Sequence, residues 1–125
     1  MKENLSQASI EPLLGYFDRL LPLNKEEKEL VSQKFRPRLY RKKQYVLQEG
    51  DICMQMNFVV RGCLRMYKID DNGGTHILQF AAENNWITDL GSFYTEKPSE
   101  LTIDALEDTM VLRIGHDDLI TLYTD

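Results

Sequence analysis

Residues able to do chemistry gather most densely at 86–105, WITDLGSFYTEKPSELTIDA. Thr88, Ser92 and Ser99 offer hydroxyls, and Asp89 and Glu100 offer carboxylates. Asp89 can accept from a ligand hydroxyl. Ser99 carries no charge, and Glu100 adds a second negative one, so that two like charges stand close together. The remaining chemistry is sparse. His76 and His116 stand forty residues apart. Cys53 and Cys63 are ten apart without CxxC spacing, a weak metal or redox signal that reads as two free thiols. No GxSxG, P-loop, GxGxxG or HExxH pattern is present. Arg36, Arg38, Arg41, Lys42 and Lys43 put five cations into eight residues. They read as an edge strand guarded by charge rather than as a nucleic-acid patch, since the chain carries a net charge of -5 and a pI near 5.0.

These residues need a scaffold, and 125 residues with 42% hydrophobic content suffice for one domain with its own core. No apolar run approaches the roughly 18–20 residues that span a bilayer. The start, MKENLSQASIEP, lacks the apolar stretch of a secretory leader, so the sequence reads as cytoplasmic. Ile10, Leu13, Leu14, Phe17, Leu20 and Leu21 recur at helical spacing over 10–21, and Pro22 should end that helix. Asn24 with Glu27 three residues on forms a capping box for a second helix, with Leu30, Val31 and Phe35 on a thin apolar face and Pro37 as its stop.

Beyond Pro37 short β-rich runs follow, at 39–47, 57–61, 64–69, 75–80, 86–88, 101–105 and 109–114. Glu49-Gly50-Asp51, Arg61-Gly62, Glu107-Asp108 and the strong hairpin signal Asp70-Asp71-Asn72-Gly73-Gly74 punctuate them. The 86–105 segment itself reads as a short strand, a tight polar turn, a flexible loop and another strand. Asp117 and Asp118 suit the first turn of a last helix, over 119–123. The expected fold is mostly β with flanking helices, a sandwich or barrel.

This layout resembles the cyclic-nucleotide-binding jelly roll (double-stranded β-helix), and most closely the N-terminal sensor domain of CRP/FNR bacterial transcription regulators. The marks are Glu49-Gly50-Asp51, Phe58-Val59-Val60-Arg61-Gly62, the hairpin into Ile77-Leu78-Gln79-Phe80, and 86–93 in the frame of the family's phosphate-binding cassette. The resemblance implies a single domain over 1–125: helical at 1–36, a β-roll at 37–115, and at 116–125 the start of a terminal helix that continues in the family. A helix-turn-helix domain would lie outside this chain.

By the same resemblance, the cassette glycine falls on Thr88 and its glutamate on Asp89. Its arginine falls on Ser99, the next serine or threonine on Glu100, and the following alanine on Leu101. Met66, Leu78, Gln79, Ile87 and Leu90 would line the roll interior, with Gly91 and Ser92 completing the candidate site. An arginine would fork onto phosphate oxygens; its loss removes ~2–5 kcal/mol. The sequence therefore implies an effector-sensing domain that does not use cyclic AMP or cyclic GMP. No catalytic residue, metal or resident cofactor is expected, and a small-molecule effector of unknown identity is the implied partner. DNA contact and homodimerisation belong to the full-length regulator. The alternative is an interaction module with a filled pocket. A haem sensor is a lesser alternative, resting on Cys53, Cys63, His76, His116 and the methionines. A cupin-type metal enzyme lacks its clustered ligands.

Overall fold

The computed structural model describes residues 10–20 and 24–124. The stop expected at Pro22 lies outside them. Helix α1 (Ile10–Leu20) buries Ile10 and Leu13, as the helical spacing requires. Helix α2 (Lys25–Lys34) begins at the expected capping box: the Glu27 amide donates to Asn24 Oδ1 at 2.8 Å, and the Asn24 amide to Glu27 Oε1 at 2.9 Å. It closes at Phe35, whose buried ring and Val31 are its anchors.

Eight antiparallel strands follow: β1 (Arg36–Tyr40), β2 (Tyr45–Leu47), β3 (Gln55–Arg61), β4 (Leu64–Ile69), β5 (Thr75–Ala81), β6 (Trp86–Ile87), β7 (Thr102–Ala105) and β8 (Thr109–Gly115). They form two four-stranded sheets, ordered β1-β8-β3-β6 and β2-β7-β4-β5. Leu64, Val59, Ile103 and Val111 are fully buried in the resulting core. A short helix α3 (Leu90–Thr95) interrupts the sheets, and α4 (His116–Thr124) follows β8 directly.

One sequence expectation is corrected here. Residues 39–47 are not one strand. The chain turns at 41–44 and passes from one sheet to the other. The Gln44 amide donates to the Arg41 carbonyl at 2.9 Å, and Lys43 takes φ 75°. The basic run thus covers this turn and β1, which is indeed a sheet edge. The 70–74 hairpin is built as its turn residues demand, with Gly73 at φ 84° and Asp70 Oδ1 accepting from the Asn72 and Gly74 amides.

The outer face of the first sheet carries the helices. Phe58 stacks edge-on against Trp86 at 5.1 Å between ring centres, and Tyr16 from α1 meets both rings at 5.4 and 6.0 Å. Phe35 reaches Trp86 at 6.0 Å. Trp86 therefore packs helices onto the sheet, and Phe93 is buried within the core. Because side chains alternate along a strand, Asn57 and Val59, flanking Phe58, face inward between the sheets.

Candidate functional site

The 86–105 segment folds as strand β6, helix α3, a loop and strand β7. The turn-and-loop expectation is corrected at α3, where a single helical turn and a half follows Asp89. That residue caps the helix: its Oδ1 accepts from the Ser92 amide at 3.2 Å. Its Oδ2 accepts from Ser99 Oγ at 2.5 Å. Both carboxylate oxygens thus have partners inside the segment.

Ser99 is only 3% exposed, and its backbone is tied down on both sides. Its amide donates to the Asp51 carbonyl and its carbonyl accepts from the Gly50 amide, each at 2.8 Å. The Leu101 amide donates to Ser99 Oγ at 3.0 Å. Ser92 Oγ donates to the Lys97 carbonyl at 2.6 Å and accepts from the Cys53 amide at 2.9 Å. Thr88 Oγ1 donates to the Gln55 carbonyl at 2.9 Å and sits 3.1 Å from Cys53 Sγ. Thr88 is not among the residues of positive φ, so the position makes no demand for glycine. The loop after α3 is stitched to the β2–β3 loop by hydroxyls and main chain alone.

The twelve residues singled out by sequence divide. Asp89, Gly91, Ser92, Glu100 and Leu101 meet around a surface cavity of about 380 Å³. Ile87 is buried, Met66 and Gln79 are half-buried on the inner face, and Gln79 Nε2 donates to the Trp86 carbonyl at 2.8 Å. Two placements are corrected. Leu78 does not line the interior: Met66 pairs with Gln79 and Tyr67 with Ile77, so Leu78 is the extra residue of a β-bulge and is 55% exposed. Leu90, the first residue of α3, is likewise turned outward, 53% exposed.

Lys68 and Lys97, with Thr95 and Pro98, complete the cavity wall, and the sequence reading singled out none of the four. Lys68 Nζ lies 3.0 Å from Glu100 Oε1, and that carboxylate holds the ammonium above the ordinary lysine range. Two cations against two carboxylates leave the cavity close to neutral. Glu100 is paired with Lys68 and does not project an uncompensated negative charge. Lys97 lay within the inspected segment; Lys68 is visible only once β4 is placed beside the loop.

Cys53, Cys63, His76 and His116 have separate surroundings. His76 Nε2 is 2.7 Å from Asp70 Oδ2 in the hairpin. Burial, with Glu107 and Glu83 nearby, pushes the Cys63 thiol up. His116 packs against the rings of Phe93 and Tyr94, at 5.5 and 6.2 Å between centres. Among the described residues no three His, Cys, Asp or Glu side chains are grouped to hold a metal ion, and no helix is long and apolar enough to cross a membrane.

The model of the cyclic nucleotide-binding domain matches residues 37–125. The chain belongs to this family. Its fold is similar to the Thermus thermophilus catabolite activator protein, with a TM-score of 0.74 at 23% identity over 87% of this chain and 49% of that one. It is similar to the sensor domain of the transcriptional regulator DNR from Pseudomonas aeruginosa, at 0.77 and 17% over 98% of this chain and 81% of the other. It also resembles the regulatory domain of Toxoplasma gondii PKA crystallised with cAMP, at 0.76 and 13% over 95% and 45%. At these identities the likeness concerns the fold. The chain spans about half the length of the Thermus protein. No curated protein matches it. Within this cyclic nucleotide-binding domain, the Ser99 hydroxyl is engaged by Asp89 Oδ2.

Proposed function

We propose that this domain is the effector-sensing part of a CRP/FNR-type transcription regulator whose cassette does not take cyclic AMP or cyclic GMP. The observation that carries the reading is the Ser99 hydroxyl donating to Asp89 Oδ2. It occupies the carboxylate that a ribose hydroxyl would need, and it offers a phosphate no cation. Lys68 and Lys97 are offset by Glu100 and Asp89, and lysine lacks the planar fork that grips phosphate oxygens.

A contact between the cassette helix and the terminal helix supports this reading. Phe93 and Tyr94 of α3 pack on His116, the first residue of α4, so a shift of α3 acts on the base of that helix. An effector moves such an equilibrium only by binding one arrangement better than the other. DNA contact and homodimerisation are assigned by this reading to the full-length regulator, and a soluble small molecule is its effector.

Calorimetric titration with cyclic AMP and cyclic GMP tests the cassette. The expected result is no heat of binding at nucleotide concentrations up to about 100 μM. A low-micromolar constant for either nucleotide sinks the reading.

A further inference from the structure

A larger cavity, of about 620 Å³, opens between the sheets beside the 50–55 loop, and its lining shares no residue with the cassette cavity. Val46, Leu47 and Ile103 give it an apolar wall, and Asn57, Arg113, Tyr40, Gln55 and the exposed Asp51 line it with polar groups. Asn57 is 2% exposed, yet among the described residues its Oδ1 has no hydrogen-bond partner. Buried side-chain polar atoms are overwhelmingly paired, so such an orphan calls for a partner that the described residues do not supply.

The sheet register shows where that partner would stand. Asn57 lies between Ile87 on β6 and Arg113 on β8. Its Nδ2 donates to the Ile87 carbonyl at 3.2 Å, so Oδ1 is turned away from β6, to the Arg113 side. Facing pairs on adjacent strands present their side chains to the same surface, here the inter-sheet space. Arg113 makes one long contact, 3.4 Å from Nη1 to Tyr40 Oη, and among the described residues no carboxylate stands within ion-pair distance of it, although Asp51 lines the same cavity. A buried acceptor without a partner among the described residues and a guanidinium outside any ion pair there thus stand side by side at one cavity, with Asp51 elsewhere in its lining.

We infer that this cavity is a binding site for a small aliphatic carboxylate that carries its own hydroxyl or amino donor. The carboxylate goes to Arg113, the donor to Asn57 Oδ1, and the aliphatic body to Val46, Leu47 and Ile103. The volume lies within the usual range for small-molecule sites. A simple fatty carboxylate would leave Asn57 orphaned, and a neutral ligand would leave Arg113 unpaired. Cys53 belongs to the same lining and also bonds into the cassette through its amide to Ser92 Oγ and its thiol to Thr88. Occupancy of the cavity would therefore be felt at α3.

The test is amide chemical-shift mapping on the 125-residue chain with leucic acid, leucine and isocaproate. Leucic acid or leucine should perturb amides at 46–57 and 103–113, with isocaproate at least ~10-fold weaker for want of a donor. Arg113→Gln should weaken every binder ~10-fold or more. Asn57→Leu, which keeps the core filled, should erase the preference over isocaproate. Absence of shifts at about 10 mM of leucic acid and of leucine overturns the inference. So do shifts centred on Asp89–Ser99, or equal binding by the wild type and both variants. Cyclic nucleotides bear on the cassette alone, so either reading can fail without the other.

Discussion

The cassette and the inter-sheet cavity lie on either side of one loop, residues 50–55, and treat their polar groups in opposite ways. In the cassette both Asp89 oxygens, the Ser92 and Ser99 hydroxyls and the Thr88 hydroxyl are bonded within the chain. In the cavity, among the described residues, Asn57 Oδ1 has no partner and Arg113 reaches Tyr40 alone. Groups that satisfy one another hold a shape; groups left open after folding keep their bonding capacity for something else. The contrast sets a self-satisfied segment, where resemblance puts the family's ligand, beside a cavity whose polar groups keep bonding capacity.

The largest effect should come from reversing the cassette. Ser99→Arg with Glu100→Ser and Leu101→Ala introduces the residue types that the resemblance implies at these positions. The guanidinium supplies the missing fork, and Asp89 is released from Ser99. Cyclic AMP affinity should rise by ~30- to several-thousand-fold, the counterpart of ~2–5 kcal/mol for a paired buried charge. Calorimetry on the triple variant measures it. An unchanged, undetectable affinity would mean that Thr88 or the loop path, and not the lost charge, closes the site.

A second experiment sets the two regions against each other by stability. Ser99→Ala removes a donor from Asp89 and an acceptor from the Leu101 amide. A loss of ~1–3 kcal/mol is expected. Asn57→Leu removes an orphaned acceptor at the cost of one hydrogen bond, to the Ile87 carbonyl, and should lie between neutral and ~1 kcal/mol stabilising. Urea denaturation of both variants gives the signs. Equal losses would erase the distinction between satisfied and open groups.

How much of this could be read from the chain depended on range. Turns with local chemistry were legible: Asn72-Gly73-Gly74, the Asn24–Glu27 box, and Gly62 at φ 103°. Gly62 needs its glycine, since a Cβ there would come within 2.7 Å of the Asp108 carbonyl oxygen. The β1–β2 break was illegible because Arg41-Lys42-Lys43 holds neither glycine nor proline, and Lys43 takes its positive φ under tertiary constraint, its amide bonded to the Ala105 carbonyl. Helix α3, six residues long, is too short to show a period. Leu78 failed for a different reason: residue-by-residue transfer from a family frame cannot see a bulge, which is fixed by the pairing of β4 with β5. Lys68 with Glu100, and Asn57 with Arg113, are neighbours only through strand pairing, so the candidate site was half visible at best.

The smallest effect belongs to a third polar cluster, which tests whether internal satisfaction matters when water is at hand. In the exposed 70–74 hairpin the hydrogen bond from His76, then the amides of Gly74 and Asn72, hold the Asp70 carboxyl below its ordinary value of 3.8. A depressed carboxylate contributes stability that is present above the unfolded value and is lost as pH falls through the folded one, so the loss begins below about pH 4. His76→Ala should return the Asp70 titration toward 3.8, as read from its side-chain carboxyl shift by NMR. Solvent competes for every bond in this hairpin, so global unfolding should move far less than in Ser99→Ala, while amide exchange at Gly73 and Gly74 quickens. Should His76→Ala destabilise the chain as much as Ser99→Ala, burial would not be what separates the cassette's hydrogen bonds from those at the surface.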